Sequence, residues 1–421
     1  MNNLNKYYSF LKENNISTYN SLKEYVEQDI FKLKVKEDKE NSNLAVIYND
    51  SNSNIENEFV RFFNGVIIDK NTLKIVCYTF DKCSEDNIIN ENLIDTDLII
   101  QPVYEGTLIR VFYHNDGWNI STKKMINAFN AKWATDKSFG TMFNEIFGDF
   151  NEYNNILPNK NYCYSFLMGH VENNILKNDN NYIIHLNTID LENNSEVDFQ
   201  LNNESKNIYH ISNYKSDIMN MNKESLENYV NSLKNNISMT EIGYMFVNKD
   251  GIRQKFIKKN YTEIRELWGN TNNRLFRYLH LRKNPDKLKK YLETFTFDKQ
   301  QFVVFETYLM NIATFILNIY RNRHISKSIT KVPFYLRDII YKVHGLYLQS
   351  KNKVSFQDIN VLLHDLDEKK FCFIINNIEK DKNKIEEEKQ TELINNVQNS
   401  VQNSAHDTET TETSIEMSSS A

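Results

Sequence analysis

Residues 101–113, QPVYEGTLIRVFY, set an acid, a glycine and a hydroxyl (Glu105-Gly106-Thr107) at the head of an alternating apolar run. Such a trio can be a fragment of an active site. It can equally be ordinary turn chemistry that starts a strand, since Gly beside a small polar residue is a common turn signal. A second chemistry-bearing stretch is residues 249–290, which carry a clear excess of Lys and Arg. A local basic patch can bind phosphates under a negative total charge, because screening limits charge interactions to about 10 Å at 0.1 M salt. Arg265, Arg274, Arg277, Arg282 and Lys283 are candidate contacts to nucleic-acid phosphates on that reading, with a solvated helix face as the even alternative. His114, His170 and His185 lack ligand spacing, so no metal site is expected from them. Trp118, Phe129, Trp133, Phe139 and Phe143 are expected in the core rather than on a base-stacking platform, because four of them follow helical spacing.

The elements around these residues fall into two classes. Residues 4–31 show helical spacing, and FKLKVKED and NLAVIYN then alternate as strands. Residues 62–80 read as a hairpin turning at Asp69-Lys70-Asn71. Residues 108–122 read as a second hairpin, with Asn115-Asp116-Gly117 as its turn signal. Residues 125–150 return to helical spacing, and strands are expected at 162–168, 182–190 and 244–247. From about residue 261 the pattern is helical almost without interruption. Mixed strands and helices followed by helices alone imply an α+β domain and a separate helical one. After residue 380 the chain is polar and repetitive (VQNSVQNSA), apart from a helical extension at its start, and is expected to be disordered.

Composition narrows the class. The chain has 421 residues, 40% of them hydrophobic, with 26 Phe and 24 Tyr, so it can build an ordinary core. The net charge of −6 argues against a basic nucleic-acid binder taken as a whole. Excess Asn and Lys with only 10 Gly and 4 Pro suits an AT-rich genome, such as that of a large DNA virus. Cys77, Cys83, Cys163 and Cys372 are scattered and form no C-x-x-C pair, as in a reducing compartment. The N-terminus lacks a signal-peptide apolar core. The most apolar run, 302–320, contains Glu306, two Asn and two Thr, and reads as a buried helix rather than a membrane span. An intracellular, cytoplasmic protein is expected, in a host cytoplasm or a virion if the source is viral, with no membrane partner.

One order of motifs runs through residues 30–265: a hairpin ending in Lys82, then x-[DE]-G-[ST] at 104–107, a second hairpin, and Thr122-Lys123-Lys124. In this it resembles the nucleotidyltransferase superfamily, and most of all the phage-type ATP-dependent RNA ligases that repair broken tRNA. The resemblance implies that a lysine attacks the α-phosphate of ATP and is adenylated. The adenylate then passes to an RNA 5′-phosphate, and a 3′-hydroxyl displaces AMP. A lysine is needed because an amine forms the labile phosphoramidate. The family's glycine lets the backbone approach the nucleotide, while lysines and Mg2+ neutralise phosphate charge.

This sequence departs from that pattern at several points. Val103 stands where the nucleophilic lysine belongs, Glu105 replaces Asp, and Gly106 and Thr107 remain. Asn64, before Gly65, replaces a phosphate-contacting Arg, and Ser165 falls near an expected Glu. Glu172-Asn173-Asn174-Ile175 keeps the family's Glu-Asn-x-Ile. Glu241 is displaced by one residue from the family's Glu, which turns it to the other face of a strand unless a bulge restores it. Of a Lys-x-Lys pair, Lys255 is present and Ile257 replaces the second lysine, while Tyr261 fits the spacing.

The resemblance thus leads us to expect an α+β ligase-like domain over 1–265 with a twisted antiparallel sheet, a helical domain over 266–380 and a tail over 381–421. It implies a degenerate protein without the nucleophile. Nucleotide or RNA-end binding would be retained at Lys82, Glu105, Gly106, Thr107, Lys124 and Lys255, with ATP and Mg2+ as cofactors if binding survives. Two alternatives stand beside it. One is an active ligase that uses a displaced lysine (Lys123 or Lys124) or pre-adenylated RNA. The other is an interaction protein whose cleft is filled by side chains and whose helical domain or tail docks a partner.

Overall fold

Apolar residues at helical spacing form the two opening helices, Asn3–Glu13 and Tyr19–Val26. Leu4, Tyr7, Leu22 and Val26 are buried, and the Thr18 hydroxyl accepts the Ser21 N–H at 3.3 Å to cap the second helix. In this computed structural model the described residues are 3–390, except 39–42, 86–97, 134, 174, 176–179, 200, 202–207, 212–223, 226–227, 229–240, 249–250, 385 and 389. The chain divides into two compact units, Met1–Glu266 and Leu267–Ala421.

The first unit holds three sheets. Strands β1 (Lys34–Glu37), β2 (Leu44–Tyr48), β3 (Asn64–Asp69) and β4 (Ile75–Cys77) pair antiparallel in sequence order. An aromatic cluster of Tyr7, Phe10, Tyr25, Phe31, Phe59, Phe62 and Phe63 packs the two opening helices onto this part of the core. The hairpin between β3 and β4 has a longer loop than its first three polar residues suggest. Leu73 donates to the Asp69 carbonyl and takes φ 56° to close it.

Strands β5 (Ser84–Glu85) and β6 (Ile99–Tyr104) come next, followed by β7 (Thr107–His114) and β8 (Gly117–Thr122). Asn115 and Asp116 make the two-residue turn of the second hairpin, at φ 50° and 59°. This primed turn matches the twist of the flanking strands, and Gly117 already belongs to β8. Strands β7 and β8 join β9 (Tyr162–Gly169), β10 (Tyr182–Asp190), β11 (Ser195–Val197) and β12 (Ile208–His210) in a six-stranded sheet. Strands β13 (Glu241–Val247) and β14 (Arg253–Ile257) sit between β5 and β6 in the third sheet, in the order β5-β14-β13-β6.

The helix expected across 125–150 is present only in its second half. Residues 128–130 form one tight turn, capped by Asn127, whose side-chain oxygen accepts the Phe129 N–H at 2.9 Å. The α-helix begins at Phe139, where the Ser138 hydroxyl accepts the Thr141 N–H at 3.1 Å. Two local caps therefore break what apolar spacing alone joins.

The second unit is helical: Arg274–Leu281, Pro285–Thr294, Lys299–His324, Arg337–Ser350, Phe356–His364 and the helical residues 368–384. Pro285 sits in the first turn of its helix behind the Asn284 cap, where its missing N–H costs nothing. Helix Lys299–His324 buries Phe302, Leu309, Ile312, Ala313, Ile316, Leu317 and Tyr320. By length and composition alone, the stretch Thr296–His324 is long and apolar enough to cross a membrane, and 33% of its most apolar window is buried inside the protein. Of the tail expected to be disordered, residues 381–384 continue the last helix, while 391–421 lie outside the described residues.

Candidate functional site

Register on the third sheet determines which residues share a face. Val103 on β6 and Ile257 on β14 both pair with Gly243 of β13, one strand to either side of it. A Cβ on Gly243 would lie 2.0 Å from the Phe256 carbonyl oxygen, so that close approach needs the glycine. Two residues along the strands, on the same face, Gln101, Met245 and Lys255 form a second row, which Glu85 of β5 extends. The second row and, from the first, Val103 line one cavity of about 590 Å³, within the usual range for small-molecule sites. The cavity belongs wholly to the first unit.

Its walls come from the other sheets and their connections. Asn64 starts β3, Phe80, Lys82 and Cys83 lie between β4 and β5, and Lys123 follows β8. Trp133 and Phe139 come from the segment after β8, Leu167 from β9, Leu186 and Asn187 from β10. A buried arginine holds two of these walls together. Arg110 on β7 is 0% exposed, and its guanidinium donates to the Gly65 carbonyl and, at 2.5 Å, to the Thr122 carbonyl. Gly65 has φ 91°, and a Cβ there would meet the Lys123 carbonyl oxygen at 2.5 Å. Arg110 and Gly65 thus fix Asn64 and Lys123 against each other at the cleft wall.

The opening tetrad has a connected setting. The Glu105 carboxylate accepts the Ile175 N–H at 2.5 Å, and the Glu105 carbonyl accepts the Tyr182 hydroxyl at 2.5 Å. Asn173 donates to the Thr107 hydroxyl at 3.0 Å. The Glu-Asn-x-Ile stretch therefore docks on Glu105-Gly106-Thr107, while Glu172 turns to Lys137 at 2.6 Å and Asn174 lies outside the described residues. Gly106 serves packing as well as access, because a Cβ there would sit 2.7 Å from the Met168 carbonyl oxygen.

Cations dominate the cleft. Lys82, Lys123, Arg253, Lys255 and Arg265 line it, against Glu85, Glu105 and Glu196. Glu196 pairs with Arg253 at 3.4 Å and Glu85 with Arg265 at 3.7 Å. Burial, then the charges of Lys82 and Lys124, push the Lys123 amine down to about 7. Burial likewise pushes the Lys255 amine down, against the pull of Glu85. Two buried amines beside a third lysine disfavour their own charge, and an anion in the cleft relieves that cost. Trp133 is 40% exposed at the cleft wall beside Phe139.

The expected catalytic positions meet in an apolar patch. Val103 packs against Ile242, Ile257 and Tyr261. A bulge does fall between Glu241 and Gly243, but Ile242, not Glu241, lines the cleft, and Glu241 lies near Lys258. Ser165 is buried and bonded to Thr79 at 3.1 Å. β6 carries no lysine or arginine, and Val103 is among the residues that line the cavity.

Several sequence expectations need correction. Lys124 does not line the cleft; it lies over the Tyr48 ring at 5.6 Å, and its neighbour Lys123 takes the wall position. Trp133 and Phe139 line the cleft instead of filling only a core. Arg274 and Arg277 belong to the second unit and do not line it. Arg277 is 3% exposed, stacks on Trp268 at 3.8 Å and donates to the Trp268 carbonyl at 2.7 Å. Its charge and that of Arg274 are used on buried Asp298, at 4.0 and 3.3 Å. Cys77 and Cys163 are not isolated, because their sulfurs touch at 3.4 Å in the core. His170 bonds Glu145 at 3.0 Å, and His185 bonds Thr188 at 2.9 Å. Among the described residues no three His, Cys, Asp or Glu groups gather to hold a metal. A divalent ion carried in by ligand phosphates needs only one or two carboxylates. Glu85, 40% exposed and loosely paired, is the cleft carboxylate that offers itself.

Sequence reasoning did not single out Arg253. It lies two residues before Lys255 on β14, so period-2 alternation carried the signal. Asn187 gave no signal, because it enters the cleft beside a bulge in the β9–β10 pairing.

No family model matches the chain. It is similar to two proteins described as immediate-early protein ICP-46 homologues. The one from Invertebrate iridescent virus 6 is 26% identical over 267 residues, covering 59% of this chain and 58% of that protein. The one from Invertebrate iridescent virus 3 is 29% identical over 102 residues, covering 21% and 22%. The matches therefore span less than two thirds of either relative. Among solved structures the chain is similar to a putative ATP-dependent DNA ligase from Aquifex aeolicus, at TM-score 0.37 and 11% identity over 79% of this chain and 80% of that one. An archaeal ATP-dependent RNA ligase gives TM-score 0.37 and 10% identity over 68% and 70%. A Naegleria gruberi RNA ligase with AMP and Mn gives TM-score 0.32 and 14% identity over 44% and 58%.

Proposed function

We propose that this chain is an RNA-ligase-like protein that binds a nucleotide or a phosphorylated RNA end in the cleft without forming an adenylate at position 103. The observation that carries this is the apolar patch that Val103, Ile242 and Tyr261 present to the cleft, backed by buried Ile257, beside Lys82, Lys123 and Lys255. Where the ligase-like pattern has two lysines and a glutamate, the cleft has one apolar patch. A phosphate there would lie on hydrocarbon, at the cost of its hydration. The cations that remain stand on the neighbouring rows and walls, so phosphates bind against those. Lys255, Lys82 and Arg253 orient the anion, and Trp133 or Phe139 offers a ring for a base. A divalent ion beside Glu85, when bound, would neutralise further phosphate charge.

RNA ends, broken tRNA among them, are the proposed nucleic-acid partner, and an intracellular setting in virus-infected cells fits free thiols and iridescent-virus relatives. The test is incubation with α-labelled ATP and Mg2+ or Mn2+, alongside an equilibrium binding measurement. Binding without a covalent adduct is the expected result, and Lys255→Ala should weaken it at least about tenfold, the loss of one charge-assisted contact. A stable protein–AMP adduct would overturn the non-covalent reading.

One observation favours a second reading, an active enzyme with a displaced nucleophile. Lys123 lines the cleft with its amine pushed down to about 7, so it is partly uncharged at neutral pH. That amine now donates to Asn49 at 2.7 Å, which directs it at a protein oxygen. An adduct abolished by Lys123→Ala and retained by Lys124→Ala would establish this reading in place of the first.

A further inference from the structure

Most buried polar side-chain atoms have partners, and the described exceptions are informative. Two of them belong to cleft residues: the amide oxygens of Asn173 and Asn187. Asn187 is the better placed. It is 5% exposed, on β10, and its amide nitrogen donates to the Thr79 carbonyl at 2.9 Å. That bond fixes the amide's orientation, since a flipped amide would set two oxygens against each other. The Asn187 oxygen is therefore held as an acceptor with no donor among the described residues. A buried acceptor without a donor destabilises the protein, and a ligand that supplies the donor relieves that cost.

The surroundings identify the donor's chemistry. Thr79 leads directly into Phe80, whose carbonyl accepts the Asn64 amide at 3.3 Å and whose ring lies under Arg253 at 5.0 Å. Asn64, Phe80, Lys82 and Arg253 all line the cleft. The same wall thus holds a fixed, buried neutral acceptor, an aromatic ring and two cations. An inorganic polyphosphate would satisfy the cations and leave the acceptor bare. A nucleotide satisfies both, because its sugar hydroxyls or base amine carry donors a few bonds from its phosphates.

We infer that Asn187 is a specificity residue of the cleft, whose side-chain oxygen accepts a hydrogen bond from a sugar hydroxyl or base amine of a bound nucleotide. The inference rests on the nucleotide-binding reading above and adds which part of the ligand is read.

Four ligands distinguish the sources on the full chain: ATP, 2′,3′-dideoxy-ATP, the ATP analogue lacking the 6-amino group, and inorganic triphosphate. Affinities are measured by titration with wild type and with Asn187→Leu. The expected pattern is that wild type binds ATP about tenfold or more tighter than inorganic triphosphate. One of the two analogues should lose most of that margin; loss with the dideoxy compound assigns the sugar, loss with the deaminated one assigns the base. Asn187→Leu should bind ATP and that analogue equally. Equal affinity of wild type for ATP and both analogues, as when a water satisfies the acceptor, would overturn the inference. So would discrimination that persists in Asn187→Leu. Should that variant not fold, the wild-type comparison still decides. Failure of wild type to bind any of the nucleotides overturns the nucleotide reading itself, which separates the two failures.

Discussion

Lys123 and Lys255 decide how the cleft responds to pH. Both amines are pushed below their usual range, chiefly by burial, and Lys123 reaches about 7. An anion favours the charged amine, so binding takes up a proton once the pH exceeds the free-protein value. Affinity for a phosphorylated ligand should therefore hold roughly level below pH 7. Above it, affinity should fall by up to about tenfold per pH unit until the amine titrates in the complex too. Titrations at pH 6, 7 and 8 check this, and Lys123→Met should flatten the slope. Folding alone has its own sign: Lys123 has a higher pKa unfolded, so its contribution opposes folding below about 7 and is relieved as pH rises above that value. Val103 supports a second prediction. Val103→Lys should not restore an adduct, because Ile242, Ile257 and Asn64 still leave the α-phosphate without its other contacts. Mass measurement after incubation with ATP and Mg2+ reads the outcome.

At the scale of elements, three strands and one buried arginine build the site. The rows Val103–Gly243–Ile257 and Gln101–Met245–Lys255 follow from antiparallel register, while Lys255 was legible in sequence only through the Lys-x-Lys pair of the resemblance. The hairpins and the order of helices were legible too, since their turn residues and apolar spacing are local signals. The cleft wall was not. Which of Lys123 and Lys124 faces inward depends on Arg110 and Gly65, which meet Thr122 and Lys123 only through tertiary folding. The helical reading of 125–138 failed because the Asn127 and Ser138 caps outweigh apolar spacing, and that failure put Trp133 in the core. Removing Arg110 leaves two buried carbonyls without their donor. Arg110→Met should destabilise the first unit by about 2–5 kcal/mol, read as a lowered denaturation midpoint. Gly65→Ala should also destabilise, since φ 91° and the Lys123 carbonyl both exclude a Cβ.

For the whole molecule, the basic stretch at 249–290 divides between two tasks. Arg253, Lys255 and Arg265 line the cleft of the first unit, while Arg277 and Arg274 hold Asp298 inside the second. A charge run in sequence does not show this split, because solvent-facing, cleft-lining and buried arginines look alike there. Arg277→Ala should lower the melting temperature, because buried Asp298 keeps Arg274 and the Tyr291 hydroxyl but loses its second cation, and should leave cleft affinity within about twofold. Arg253→Ala should do the reverse. The measurement closest to the central claim remains the reaction with α-labelled ATP and a divalent metal, run beside equilibrium binding on the same protein. The account predicts saturable nucleotide binding that weakens with Lys255→Ala and no label retained after denaturation. Label that survives denaturation and maps to a lysine would contradict it.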